Sequence, residues 1–427
     1  MAPRLLSLFP DTATVEHGEL TIGGEAASAL AEAHGTPLVV YCEETVRAAA
    51  RAYREAAPDA LVLYGTKAFP NVALLRLLAE EGLGADVSTL GELAYARAAG
   101  VLPDRIVVHG NNKSDEELRA AADAGVRFVV LDAHHELERA AAAGIRRVLV
   151  RVTPGIAADT HAAIRTGQLG SKFGLRPEDA VAAIAEARRA GLEVGGLHLH
   201  IGSQLLDVQA ARSGIDWLAA FAARCRAEAG WTPATVDLGG GLGIGYIESD
   251  RPPAIADFVH TLLERVEQAW HLNGLELPEV ILEPGRSLVG RAGITLYRVG
   301  VVKRASDTTT FVAIDGGMSD NPRPQLYGAS YSALLANRAD EEPTGTFSVC
   351  GKHCESGDVL IDEVSLPEPR HGDLLAVPGT GAYTLGMSSN YNAVPRPAAV
   401  LVVGGEARVI RRRESLDDLL RLEEASS

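Results

Sequence analysis

From residue 60 to residue 283 the chain repeats one pattern: a short continuous apolar run, then a longer stretch with helical periodicity. The apolar runs fall at 60–64, 84–88, 105–109, 128–132, 147–152, 194–201, 235–239 and 279–283, eight in all. Between them lie Ala-, Glu- and Arg-rich stretches such as Leu90–Ala99, Asp115–Ala124 and Pro177–Ala190. Strands that are apolar on both faces need cover on both, which a parallel sheet flanked by helices provides. Eight strand–helix units predict an α/β fold, a (β/α)8 barrel of the TIM type. An open doubly wound sheet is the alternative. No G-x-G-x-x-G follows the first strand, as a dinucleotide-binding version of that sheet would need.

After about residue 286 the helical periodicity stops. β-rich runs appear at Ile294–Val302, Thr309–Ile314, Phe347–Cys350, Val359–Val364, Leu374–Val377 and Ala398–Val403, separated by Gly, Pro and Asp. These predict a C-terminal antiparallel β domain. At the other end, a strand-like Glu19–Ile22 precedes a helix around Glu25–His34, and Gly35-Thr36-Pro37 breaks the chain before an apolar Leu38–Tyr41. We expect a barrel over 35–285 and a β domain built from 1–34 and 286–427. A last short helix, Ser415–Leu422, has Ser415 as its N-cap ahead of Asp417 and Asp418.

Composition narrows the partners. A chain of 427 residues, 47% hydrophobic and 22% charged, is globular and too long for one core. A net charge of −16 argues against nucleic acid or an anionic membrane, which demand clustered cations. The run Arg411–Arg413 reads as a solvated face. Four scattered cysteines, Cys42, Cys225, Cys350 and Cys354, form neither a disulfide framework nor paired C-x-x-C blocks, so no metal site is expected. That usage fits a reducing compartment. Leu5–Phe9 is too short for a signal-peptide core and no apolar run could span a bilayer, so we expect a cytoplasmic protein.

Barrel enzymes carry their chemistry on the loops after the strands. Here strand one runs into Tyr64-Gly65-Thr66-Lys67, strand two ends at Asp86, and strand three at His109-Gly110-Asn111-Asn112-Lys113. Strand six ends in His198-Leu199-His200-Ile201-Gly202-Ser203, strand seven in Gly239-Gly240-Gly241-Leu242-Gly243, and strand eight in Glu283-Pro284-Gly285-Arg286. An arbitrary lysine is an ordinary solvated residue, but partial burial after a buried strand would lower its pKa and make it a nucleophile toward aldehydes. The glycine run lets backbone amides approach an anion, although glycine runs also serve as plain turns. Arg286 on the next loop adds a cation where this fold commonly binds phosphate. A phosphate cradle beside a Schiff-base lysine is what pyridoxal 5′-phosphate requires. Glu283 is then the carboxylate for its pyridine nitrogen, and His200 can stack on the ring, with Gly202 and Ser203 suited to ring and phosphate contact.

At this point the motifs match a family. Y-G-T-K-A-F-P-N at 64–71, H-G-N-N-K-S at 109–114, T-G-Q-L-G-S-K-F-G at 166–174, H-L-H-I-G-S-Q at 198–204 and G-G-G-L-G at 239–243 belong to it. So do E-P-G-R at 283–286, N-P-R-P-Q-L-Y at 321–327, C-E-S-G-D at 354–358 and G-A-Y at 381–383. The chain resembles the fold-type III pyridoxal-phosphate-dependent decarboxylases, most closely those acting on meso-2,6-diaminopimelate to give L-lysine and CO2. The resemblance runs from about residue 35 to the end. It implies that Lys67 holds the cofactor, His200 stacks on its ring and Glu283 pairs with the pyridine nitrogen. Ser203, Gly240, Gly241, Arg286 and Tyr383 would gather around the phosphate, with Arg286 and Tyr383 shared with substrate. Arg323 and Tyr327 would bind the distal carboxylate of the substrate. Cys354 would be the proton donor and Glu355 the partner of the distal ammonium, both supplied across a homodimer.

Substrate chemistry agrees with those implied roles. The distal head of this substrate carries a carboxylate and an ammonium, and an Arg with an acid answers both. A decarboxylase for ornithine or lysine meets an ammonium tail alone, which an arginine would repel. Other readings are a decarboxylase of a different diamino or carrier-linked acid, a cofactor-binding homologue without activity, and a racemase. The intact R-x-x-x-Y and C-E-S-G-D motifs argue against the first, and the presence of Lys67 and Cys354 against the second.

Overall fold

The eight apolar runs become eight parallel strands: Leu61–Gly65, Gly84–Val87, Ile106–Val108, Phe128–Leu131, Arg147–Arg151, Glu193–His198, Thr235–Asp237 and Glu279–Leu282. Each pairs with the next, and the eighth closes on the first with Ile281 opposite Leu61. Leu61, Leu63, Val107, Phe128, Val130, Leu149 and Ile281 pack together as one apolar cluster. Because side chains alternate along a strand, this cluster uses every second residue and leaves the others to face the surrounding helices. The computed structural model describes residues 3–154 and 171–424, so the 166–170 part of the T-G-Q-L-G-S-K-F-G motif lies outside the described residues.

Helix starts are set by side chains that the sequence places directly after the strands. Asn71 accepts from Ala73 N–H at 2.9 Å and Leu74 N–H at 3.2 Å to begin Val72–Glu80. Thr89 caps Leu90–Ala99, and Ser114 with Glu117 forms a reciprocal capping box on Asp115–Ala124. Such caps satisfy the free N–H groups of a first turn and stabilise each helix by about 1 kcal/mol.

Two compact units make up the chain. One is Ala49–Gly243 with Pro252–Ser287, which holds the barrel; the other is Met1–Ala48, Ile244–Arg251 and Leu288–Ser427. In the second unit the twelve-residue strand Gly293–Arg304 is the axis of a nine-stranded sheet. It pairs antiparallel with Leu38–Cys42, Thr310–Ile314 and Leu374–Pro378. Two ladders are parallel: Leu38–Cys42 with Ala398–Val403, and Thr310–Ile314 with Gly345–Cys350. The β domain is therefore mixed, antiparallel around its long strand and parallel at these two joins. Ser415 caps the terminal helix Leu416–Leu420 through a box with Asp418.

Candidate active site

Lys67 lies in the short 3-10 turn Thr66–Ala68, immediately after the first barrel strand. The turn is closed by Tyr64, whose hydroxyl donates to Phe69 C=O and accepts from Phe69 N–H, both at 3.1 Å. A buried tyrosine hydroxyl needs such a partner, so Tyr64 and Phe69 shape the lysine turn rather than merely pack. Lys67 Nζ donates to Asp86 Oδ2 at 2.6 Å. The lysine side chain is 48% exposed whereas that of Asp86 is buried. An ion pair with a buried acid, not the desolvation expected from sequence, sets the surroundings of this amine.

From Asp86 a line of buried groups runs across the C-terminal end of the barrel. His109 Nε2 lies 3.7 Å from Asp86 Oδ1 and 2.5 Å from Glu283 Oε1. His198 Nε2 lies 3.6 Å from Glu283 Oε2, and the two imidazoles meet edge to face at 4.8 Å. Asp237 completes the group, with its Oδ1 accepting from Gly239 N–H at 2.9 Å. Burial would raise the pKa of Glu283, but His109 and His198 outweigh it and hold the carboxyl well below the usual range. Burial and the Glu283 charge push Asp237 well above its ordinary value. Of two neighbouring acids, then, Glu283 keeps the charge and Asp237 the proton. Burial takes His198 down to about 3, so its ring is neutral.

The glycine loop joins the same group. Glu283 N–H donates to Gly239 C=O at 2.8 Å. A Cβ on Gly240 would stand 2.3 Å from Glu283 C=O, so only glycine fits there. A Cβ on Gly239 would stand 2.5 Å from His200 Nδ1. Burial, then the charges of Arg151 and Lys67, lower the pKa of His200 well below the imidazole value, which makes it a neutral flat ring. Arg286 Nη2 donates to Ser203 Oγ at 3.0 Å. Lys67, His200, Ser203, Gly240, Gly241, Glu283 and Arg286 thus all lie at one end of the barrel. Sequence reasoning passed over Arg151, which ends the fifth strand, is buried, and places its guanidinium 3.6 Å from Asp132 and 4.5 Å from the Phe173 ring centroid. An arginine closing an apolar strand was the available signal.

In the second unit Arg323 opens the short helix Arg323–Tyr327, which puts Tyr327 one turn along on the same side. Arg323 is buried, donates from Nη1 to Tyr331 OH at 2.6 Å and lies 4.3 Å above the Tyr246 ring. Burial opposes its charge, but Tyr246 and Tyr331 more than compensate and its pKa rises. Gln325 Nε2, from the same helix, donates to Gly357 C=O at 2.9 Å and Val359 C=O at 3.0 Å and so ties it to the C-E-S-G-D loop. On that loop Cys354 and Glu355 are exposed, while His353 and Asp358 beside them are buried. Tyr383 has φ +58°, an outlier for a bulky residue.

Residues 43–290 match the family of pyridoxal-dependent decarboxylases through its pyridoxal binding domain. A diaminopimelate decarboxylase from Actinosynnema pretiosum subsp. auranticum is 45% identical over 426 residues, covering 97% of this chain and 95% of the relative. One from Halalkalibacterium halodurans is 42% identical over 95% of both chains. The crystal structure of the M. jannaschii diaminopimelate decarboxylase with L-lysine superposes with a TM-score of 0.91, at 35% identity, over 97% of this chain and 98% of that one.

Proposed function

The chain belongs to the pyridoxal-dependent decarboxylases, among them the diaminopimelate decarboxylases, and on that premise we propose that it converts meso-2,6-diaminopimelate to L-lysine and CO2 with pyridoxal 5′-phosphate as cofactor. The observation that carries the reading is the placement of Glu283, between His109 and His198, at the barrel end that also presents the Lys67 amine and the Gly239–Gly241 backbone. When bound, the cofactor supplies a protonated ring that takes up the electron pair left as the carboxylate departs.

Each residue has a task that its surroundings suit. Lys67 would hold the cofactor through its aldehyde carbon. Glu283 would keep the proton on the pyridine nitrogen, and a neutral His200 would cover a ring face without competing for that proton. Gly240, Gly241, Ser203, Arg286 and Tyr383 would take the phosphate, and Arg286 and Tyr383 would also face substrate. Arg323 and Tyr327 hold the distal carboxylate, with a fork that matches two oxygens at once. Glu355 pairs the distal ammonium, and Cys354 delivers one proton to the carbon that has lost CO2. The exposure of Cys354 and Glu355 supports a homodimer in which each copy lends this loop to the other. No helix among the described residues is long and apolar enough to cross a membrane, in keeping with work in the cytoplasm on a small soluble acid.

CO2 release measured from meso-diaminopimelate and from L-ornithine tests the assignment. Losing one charge-assisted contact in a dry pocket costs about 1.5–3 kcal/mol, so at least tenfold preference for diaminopimelate is expected. Release from ornithine alone would overturn the substrate.

A further inference from the structure

Cys354 and Glu355 are exposed, yet the loop that carries them is held from two sides. On one side Asp358 is the anchor: its carboxylate accepts from Met318 N–H at 2.7 Å and His353 N–H at 3.0 Å, and meets His353 Nδ1 at 2.7 Å. On the other side stands the turn at 388–394. Asn392 Oδ1 accepts from Cys354 N–H at 2.9 Å. The Tyr391 ring lies nearly parallel to that of His353, with centroids 5.8 Å apart and planes 14° from parallel.

Two consecutive residues of this turn have left-handed backbone, Asn392 with φ +53° and Ala393 with φ +55°. Asparagine tolerates this and alanine does so poorly, so the pair persists only where the surroundings over-determine it. They do so here. Asn390 Nδ2 donates to Glu414 Oε2 at 2.6 Å and to Val394 C=O at 3.1 Å. Arg396 donates to the same Glu414 carboxylate through its backbone N–H and through Nη1, each at 2.8 Å. Ser389 N–H donates to Ser319 C=O at 2.9 Å, joining the turn to the segment that leads into Arg323. A backbone pinned this firmly aims one side-chain oxygen at one amide, that of the residue assigned as proton donor.

We infer that Asn392 is a positioning residue: by holding the Cys354 amide it fixes the direction in which Cys354 and Glu355 are presented. The inference rests on the reading above, in which those two side chains act on substrate. Asn392 itself touches no reacting atom and works only through the backbone of Cys354.

Asn392→Gly removes the acceptor yet adopts positive φ freely, whereas Asn392→Asp keeps an acceptor oxygen in place. With cofactor-loaded enzyme and meso-diaminopimelate, N392G is expected to lower kcat about tenfold, the effect of one hydrogen bond, and N392D to restore most of it. In a C354A background N392G should add no further loss in kcat, since the two act as a unit. Alkylation of Cys354 by iodoacetamide, followed by peptide mass, should change in rate in N392G and return in N392D. Should N392G fail to fold, Asn392→Ser, whose hydroxyl falls short of the amide, is read in the same way. An unchanged kcat in N392G, or an equal loss with and without Cys354, overturns the positioning role while leaving the reading of Cys354 intact. Full activity of C354A alone removes that reading, and the inference with it.

Discussion

The barrel end and the C-E-S-G-D loop solve opposite problems. At the barrel end the buried acids are tuned by neighbours in the same unit, Glu283 by two histidines and Asp237 by Glu283, and Lys67 is paired with Asp86. Burial there makes each charge depend strongly on its partner. The loop has a rigid base in Asp358 and His353, but its chemical side chains, Cys354 and Glu355, face outward. A thiol in water has nothing to direct its proton. One region is tuned by its own buried neighbours, and the other holds a rigid base while presenting its side chains to solvent.

The largest effect that could break this contrast comes from mixing two variants, one without activity and one strongly impaired. Lys67→Ala removes the amine and should leave no measurable CO2 release; Cys354→Ala should lose the proton donor. If each site takes its lysine from one copy and its cysteine from the other, random heterodimers hold one intact site. Equal mixing then restores roughly a quarter of wild-type activity. No recovery after exchange of subunits, checked by labelled-chain exchange, would mean that both residues serve a site within one copy.

A smaller effect sharpens the substrate side. Arg323 has its charge supported by Tyr246 and Tyr331, yet its Nε makes no hydrogen bond within the described residues. Arg323→Lys retains the charge and loses the fork, so kcat/KM for meso-diaminopimelate should fall about tenfold to a hundredfold. The change belongs in KM more than in kcat, because a carboxylate far from the reacting carbon is held alike before and during reaction. Equal kinetics in the two enzymes would remove Arg323 from substrate binding.

The barrel was legible because its strands are continuous apolar runs with helical stretches between them, and the eight runs read from sequence are the eight strands found. Partners were less legible. Leu38–Cys42 reads as buried on both faces, and nothing in five apolar residues says that it lies between Gly293–Arg304 and Ala398–Val403. The same limit hid the contact of His109 with Glu283, which arises only when the sheet closes and strands one and eight become neighbours. The glycines were readable as a cradle, but that Gly240 is required by the Glu283 carbonyl is a matter of distance between loops. Thr89 is the N-cap of Leu90–Ala99. Its hydroxyl was the signal.

The smallest effect asks whether tuned acids are confined to the barrel. Asp320 is buried in the second unit, three residues before Arg323, with its carboxyl facing the Tyr297 hydroxyl and accepting from Gly317 N–H at 2.9 Å. Burial, helped by the charges of Asp315 and Asp358, raises its pKa to about 7, although Tyr297 and Gly317 pull the other way. The folded state therefore keeps this proton up to about pH 7, while the unfolded chain releases it near the ordinary aspartate value. Between the two the folded state binds more protons, so stability falls as pH rises through that window. Asp320→Asn mimics the protonated acid in shape and removes the titration. Wild-type stability should drop from pH 5 to pH 8 by about 2 kcal/mol more than that of D320N, measured by urea unfolding at each pH. Parallel pH profiles would place the proton elsewhere and leave the barrel end as the region where burial sets protonation.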